Sequence, residues 1–88
     1  METHDGIATK IRDYLSRNFL FSDGEFEYED DASFLELGII DSYGFVELLH
    51  WVESEFSISV ADDELVPDNF DSVNKLTSFI LGKQGDGT

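Results

Sequence analysis

Ile7, Ile11, Leu15 and Phe19 recur every four residues with Tyr14 beside them, and the intervening positions are mostly polar. That spacing predicts an amphipathic helix over about residues 6–19. Asp5 is the expected N-cap, and Asn18 with Ser22-Asp23-Gly24 marks the end. Residues 22–33 then form a long acidic connection. Phe26 and Tyr28 alternate with Glu25, Glu27 and Glu29, a period that hints at a strand. No second segment makes a convincing partner, and a lone strand is not stable. An extended loop anchored by its aromatics is the expected form. Ser33-Phe34-Leu35-Glu36-Leu37 reads as a short turn with a Ser-x-x-Glu capping pattern, closed by Gly38.

The second long helix is expected over residues 42–56 with Asp41 as its cap. At about 100° per residue, Phe45, Leu48, Leu49, Val52 and Phe56 fall on one side, the core side. Tyr43, Glu47, Trp51 and Ser54 fall on the other, where two large aromatics are more than a solvated face requires. Ser57-Ile58-Ser59-Val60 is expected as an extended linker tucking Ile58 and Val60 inward. Asp62, Asp63 and Glu64 open a short helix, with acids at its positive end and Pro67 as its limit. Residues 68–71 read as a turn anchored by Phe70. A last helix is expected over residues 72–81, with Val73, Leu76 and Ile80 as its stripe and Gly82 as its cap. The fold class is therefore all-α: a small helical bundle of three main helices plus one short helix, with a long first loop. One domain is expected over residues 1–82, followed by a flexible polar tail at 83–88.

Charge changes this picture more than size does. The 88 residues hold 5 Lys+Arg against 20 Asp+Glu, a formal charge of −15. Phosphates would be repelled, which argues against direct binding to nucleic acid or to an anionic membrane, and apolar runs of only a few residues argue against membrane insertion. No basic residue lies between Arg17 and Lys75, so the negative field concentrates on the middle of the chain. Hydrophobic residues at 41% are enough for a core. There is no cysteine, hence no disulfide, thiolate metal site or thiol nucleophile. The start, Met1-Glu-Thr-His-Asp-Gly6, has neither a basic region nor an apolar run of the secretory kind. A soluble, cytoplasmic monomer is the expectation.

Little of this supports catalysis or metal binding. The only histidines are His4 and His50. Ser42 and His50 lie more than two turns apart on one helix, too far for a Ser–His–Asp site. A calcium loop begun at Asp23 fails where glycine and the final glutamate are needed, at Tyr28 and Phe34. No Gly-rich phosphate loop is present. One segment stands out: a serine in the first turn of an amphipathic helix, directly behind an acidic cap, in Leu37-Gly-Ile-Ile-Asp-Ser42-Tyr-Gly-Phe-Val-Glu-Leu-Leu49. Backbone N–H groups and the helix dipole favour an anion at that place, such as a phosphate ester on Ser42 Oγ. A capping role for Ser42 is equally compatible with the spacing.

These residues resemble the acyl carrier protein family, which includes the peptidyl and D-alanyl carriers. The matching parts are Gly-Ile-Ile-Asp-Ser42, Val46-Glu47-Leu48, Glu53-Ser-Glu-Phe56, Ile58-x-Val60-x-Asp62-Asp63-Glu64 and Asn69-Phe70-Asp71-Ser72-Val73. The resemblance implies an acyl-carrier-like bundle and no enzymatic activity. It implies that Ser42 carries 4′-phosphopantetheine, donated by coenzyme A through a phosphopantetheinyl transferase, with Asp41 serving as cap and transferase-recognition residue. The arm's thiol would hold an acyl or aminoacyl group as a thioester for lipid or secondary-metabolite biosynthesis. Its implied partners are an acyl- or aminoacyl-activating ligase and a downstream transferase or synthase.

Departures from the fatty-acid-synthesis pattern are specific. Tyr43 stands where Leu or Met is usual, Gly44 and Ser54 stand where acids are common, and Trp51 adds bulk. Glu47 and Glu53 are retained. The pattern is similar to stand-alone carriers served by an adenylating ligase. Tyr43, Val46, Glu47, His50 and Trp51 are the expected partner-facing surface, although Tyr43 and Trp51 could instead pack on the acidic loop. The competing reading is a non-covalent acidic module, an adaptor or DNA mimic, built on a carrier-like fold.

Overall fold

Apolar side chains at helical spacing build three long helices in the computed structural model, which describes residues 3–20 and 28–86. Helix α1 spans His4–Asn18 and buries Ile7, Ile11 and Leu15. Its cap is Thr3, whose hydroxyl accepts the Gly6 N–H at 3.0 Å. The expected Asp5 cap is thereby corrected. The helix starts two residues earlier, and Asp5 lies inside the first turn, where its charge still meets the positive helix end. The Ser22-Asp23-Gly24 end marker and the Glu25–Phe26–Glu27 alternation lie outside the described residues.

Helix α2, Phe34–Leu37, is a single turn. Ser33 Oγ accepts the Glu36 N–H, and Gly38 closes the turn at φ 69°, a left-handed conformation that glycine adopts without a Cβ penalty. Helix α3 spans Ser42–Phe56 with Asp41 as its cap, and Leu48, Val52 and Phe56 are buried. Phe45 and Leu49, expected in the core, are half-buried beside it. Residues 58–60 run extended, with Ile58 and Val60 half-buried, and Glu53 Oε2 accepts the Val60 N–H at 2.9 Å.

A short 3₁₀ turn follows at Asp62–Glu64. Pro67 does not end a helix here; it begins one, α4, Pro67–Phe70. A proline lacks only the N–H that a first helical residue leaves unused, so it fits that position. Helix α5 spans Val73–Asp86. Ser72 Oγ accepts the Lys75 N–H at its start. The expected stop at Leu81 with a Gly82 cap is corrected: the helix passes through Gly82, and Lys83 is held by a partner elsewhere in the fold. A helix continues through glycine at a cost of about 1 kcal/mol when tertiary contacts compensate.

The buried cluster joins these elements, with α5 packed against both α1 and α4. Among the described residues there is no strand, and no helix is long and apolar enough to cross a membrane. Polar clamps fix the end of the first connection. Arg12 pairs with Asp30 through both guanidinium arms, Nε donating at 2.8 Å. That hydrogen bond holds the Asp30 carboxyl below its ordinary value and raises Arg12. The Asn74 N–H donates to the Asp30 carbonyl at 3.0 Å. Asp71, only 8% exposed, binds α2 from the other side: its carboxylate accepts the Leu35 N–H at 3.0 Å and the Ser33 hydroxyl at 2.5 Å. These clamps tie the end of the first connection to α1 and α5, and α2 to the link between α4 and α5.

Candidate functional site

The start of α3 is the point where the chain's unusual chemistry converges. Ile39 and Ile40 are buried just before it and seat the incoming chain. Asp41 Oδ1 then accepts the Gly44 N–H at 2.8 Å. The cap is thus supplied by Asp41, and Ser42, an exposed residue, makes no side-chain hydrogen bond among the described residues. Of the two roles the sequence allows for Ser42, capping is therefore taken by its neighbour. The hydroxyl stands at the positive end of a 15-residue helix, where free N–H groups favour an anion.

Two concavities flank this turn. One, of about 270 Å³, is lined by Ser42, Leu35, Phe45, Leu65, Val66, Pro67 and Phe70. Apart from Ser42 at its mouth, its lining side chains are apolar. The cleft is not legible in the sequence, since its walls come from three separated segments. The run Leu65-Val66-Pro67 beside a half-exposed Phe45 was the available signal. The other concavity lies between the end of α1 and the start of α3, along Asn18, Phe19, Asp41, Tyr43, Gly44 and Glu47.

Gly44 has a packing role there. A Cβ at this position would lie 2.9 Å from Ile40 Cγ2 and 2.9 Å from Phe19 Cε1. The Phe19 ring therefore occupies the space that a larger residue at position 44 would need. Gly44→Ala is expected to lower unfolding free energy by about 1 kcal/mol, because overpacking of about 1–3 kcal/mol exceeds the helix-propensity gain of up to ~1. Urea unfolding checks the sign: a gain in stability would show that the site has room.

The expected partner-facing residues divide in two. Tyr43 is 78% exposed, and Val46, Glu47 and His50 are exposed as well. Trp51 is not free in the same way. It stacks on Tyr14 with ring centroids 4.2 Å apart and meets Phe56 edge-on at 5.5 Å. It is half-buried in a contact between α1 and α3. Most of the acidic connection on which Tyr43 and Trp51 could pack, residues 21–27, lies outside the described residues. Burial raises the Tyr14 hydroxyl pKa, and the nearby Glu47 charge adds to the shift.

Comparison with known proteins adds the decisive observation. The sequence profile of the family described as "Phosphopantetheine attachment site" matches residues 8–80. The chain belongs to that family of carrier proteins. It is 29% identical over 82 residues to "Aminoacyl carrier protein 2" of Bradyrhizobium diazoefficiens, covering 93% of this chain and 86% of the relative. It is 35% identical over 51 residues to "D-alanyl carrier protein" of Streptococcus suis, covering 58% of this chain and 65% of that protein. As a carrier of this family it bears 4′-phosphopantetheine covalently. A phosphate ester needs an accessible hydroxyl and a place that tolerates its charge; the first turn of α3 meets both conditions through Ser42.

Proposed function

We propose that Ser42 Oγ is the attachment point of the arm, and that the chain presents an acyl or aminoacyl group, held there as a thioester, to partner enzymes. The observation that carries this reading is the exposed hydroxyl at the start of α3, relieved of capping by Asp41 and standing at the mouth of an apolar cleft. Attachment by a phosphopantetheinyl transferase forms a bond from Ser42 Oγ to the phosphorus of coenzyme A that bears the pantetheine. The hydroxyl proton is lost and adenosine 3′,5′-bisphosphate leaves. The bound arm supplies the thiol that a chain without cysteine lacks.

The chain's own contribution is presentation. Tethering raises the effective concentration of the cargo at each partner. A charge of −15 draws basic enzyme surfaces toward it and speeds encounter. Tyr43, Val46, Glu47 and His50 form the docking surface in this reading, and Trp51 braces it against α1 through Tyr14. Asp41 contributes to transferase recognition. The partners are the transferase, an acyl- or aminoacyl-activating ligase and a downstream acceptor enzyme, with the carrier acting as a cytoplasmic monomer. The names of the two relatives favour an aminoacyl cargo, and the apolar lining of the cleft favours one with an apolar end.

Incubation of the apo protein with a broad-specificity transferase and coenzyme A tests the reading. The expected result is an intact-mass gain of one phosphopantetheine, mapping to the peptide that contains Ser42. No gain, or a gain on another peptide, would overturn it.

A further inference from the structure

We propose that Lys83, acting through Glu64, is a positioning residue that limits the size of the cleft beside Ser42 and so selects short apolar cargo. The inference rests on the assignment of the arm to Ser42. The outer wall of the cleft is Leu65, Val66 and Pro67, where the segment that follows α3 runs into α4. Val66 is exposed and Leu65 only half-buried, so apolar packing alone holds this wall weakly.

Polar ties supply the rest, and most converge on Glu64. Its carbonyl accepts the Asn69 side-chain N–H at 2.8 Å. Its carboxylate accepts the Ala61 N–H at 2.9 Å, curling the 3₁₀ turn, and meets Lys83 Nζ at 2.6 Å. The Lys83 hydrogen bond is the main reason that Glu64 titrates below its ordinary value. Lys83 reaches the cleft by a second route as well. Its Nζ lies 5.8 Å from the centre of the Phe79 ring, and Phe79 packs at 5.3 Å on Phe70, which lines the cleft. One cation, on the residue that follows Gly82, thus braces both the outer wall and an inner lining residue.

Charge gives the strap its direction. Asp62, Asp63, Glu64 and Asp68 crowd the short stretch that forms and flanks this wall. Mutual repulsion favours a looser segment, and Lys83 opposes it. The cleft of about 270 Å³ sits just below the ~300–1,000 Å³ of pockets that enclose drug-sized ligands. It suits a short acyl chain or an amino-acid side chain, and a longer chain requires the wall to move outward.

The test uses the full chain. A broad transferase loads it with acetyl-, butyryl-, hexanoyl-, octanoyl- and dodecanoyl-coenzyme A, and intact mass confirms each product. Thioester cleavage by hydroxylamine then reports shelter as a function of chain length. In the wild type, protection is expected to rise with length and stop at a short chain. Lys83→Met and, independently, Glu64→Gln are expected to shift protection toward the longer chains, changing the long-to-short ratio about threefold, a size that a partly exposed ion pair can carry. Lys75→Met removes the same charge from the same helix and should leave the order unchanged. An unchanged order in both single variants, or an equal shift in Lys75→Met, overturns the inference. Absence of loading defeats the Ser42 assignment instead, whereas loading without protection at any length defeats the cleft as a cargo site and the strap with it.

Discussion

Ser42→Ala is expected to abolish arm attachment completely while leaving the fold intact. The two halves of that expectation have separate causes. Loss of attachment follows from removing the only oxygen that could form the phosphodiester at this position. Retention of the fold follows because Ser42 is exposed and its hydroxyl has no structural partner among the described residues. Its unfolding free energy should stay within about 0.5 kcal/mol of wild type, as for surface positions generally. Asp41→Ala provides the contrast. It removes the cap bond to the Gly44 N–H and is expected to cost about 1 kcal/mol. In a chain of this size that lowers the melting temperature by about 4–8 °C. Ser42 remains in Asp41→Ala, so attachment should proceed, though more slowly. Intact mass and thermal melts of the two variants check both halves. A mass gain in Ser42→Ala, or wild-type melting in Asp41→Ala, would contradict this division of labour between neighbours.

The parts of this arrangement that were legible in the sequence are those decided within a few residues. A side-chain cap acts across three positions, so Asp41, Ser33 and the bounds of α3 could be read locally. The left-handed glycine at Gly38 is equally local. At the first helix two cap-forming residues stand two positions apart, and the local signal does not rank Thr3 above Asp5. Gly82 resembles a stop, yet the ion pair of Lys83 with the distant Glu64 carries the helix past it. A wheel drawn on α3 alone places Trp51 opposite the core, because the wheel contains no Tyr14 from α1. The site divides along the same line. An exposed serine behind an acidic cap is a pattern of adjacent residues. The cleft beside it and the Phe19 ring over Gly44 join segments far apart in the chain, and no single window of the sequence contains them.

The largest loss of stability from a polar substitution is expected at Asp71, because its carboxylate ties the start of α2 to the short link between α4 and α5. The carboxylate accepts the Leu35 N–H and the Ser33 hydroxyl, and it is nearly buried. Hydrogen bonds to a charged acceptor are worth about 1.5–3 kcal/mol each, and the groups left behind must then find water. Leu35 is exposed and Ser33 half-buried, so water recovers part of the loss. Asp71→Ala is therefore expected to cost about 3 kcal/mol, which for a domain of this size lowers the melting temperature by more than ~10 °C. The bond from the Phe34 N–H to the Asp71 main-chain carbonyl survives the substitution, so α2 should loosen before it is lost. Asp71→Asn separates charge from geometry. Its side-chain oxygen can still accept the Leu35 N–H, and its amide can donate to Ser33 Oγ, reversing that bond. The loss should then fall to about 1 kcal/mol, the share of charge assistance in such bonds. Because α2 supplies Leu35 to the cleft and precedes the turn that seats Ser42, a loosened α2 should also lower protection of a loaded thioester. Urea unfolding of the two variants, together with hydroxylamine cleavage of the hexanoyl-loaded forms, measures both effects; equal stability of Asp71→Ala and wild type would remove Asp71 from its place as that tie.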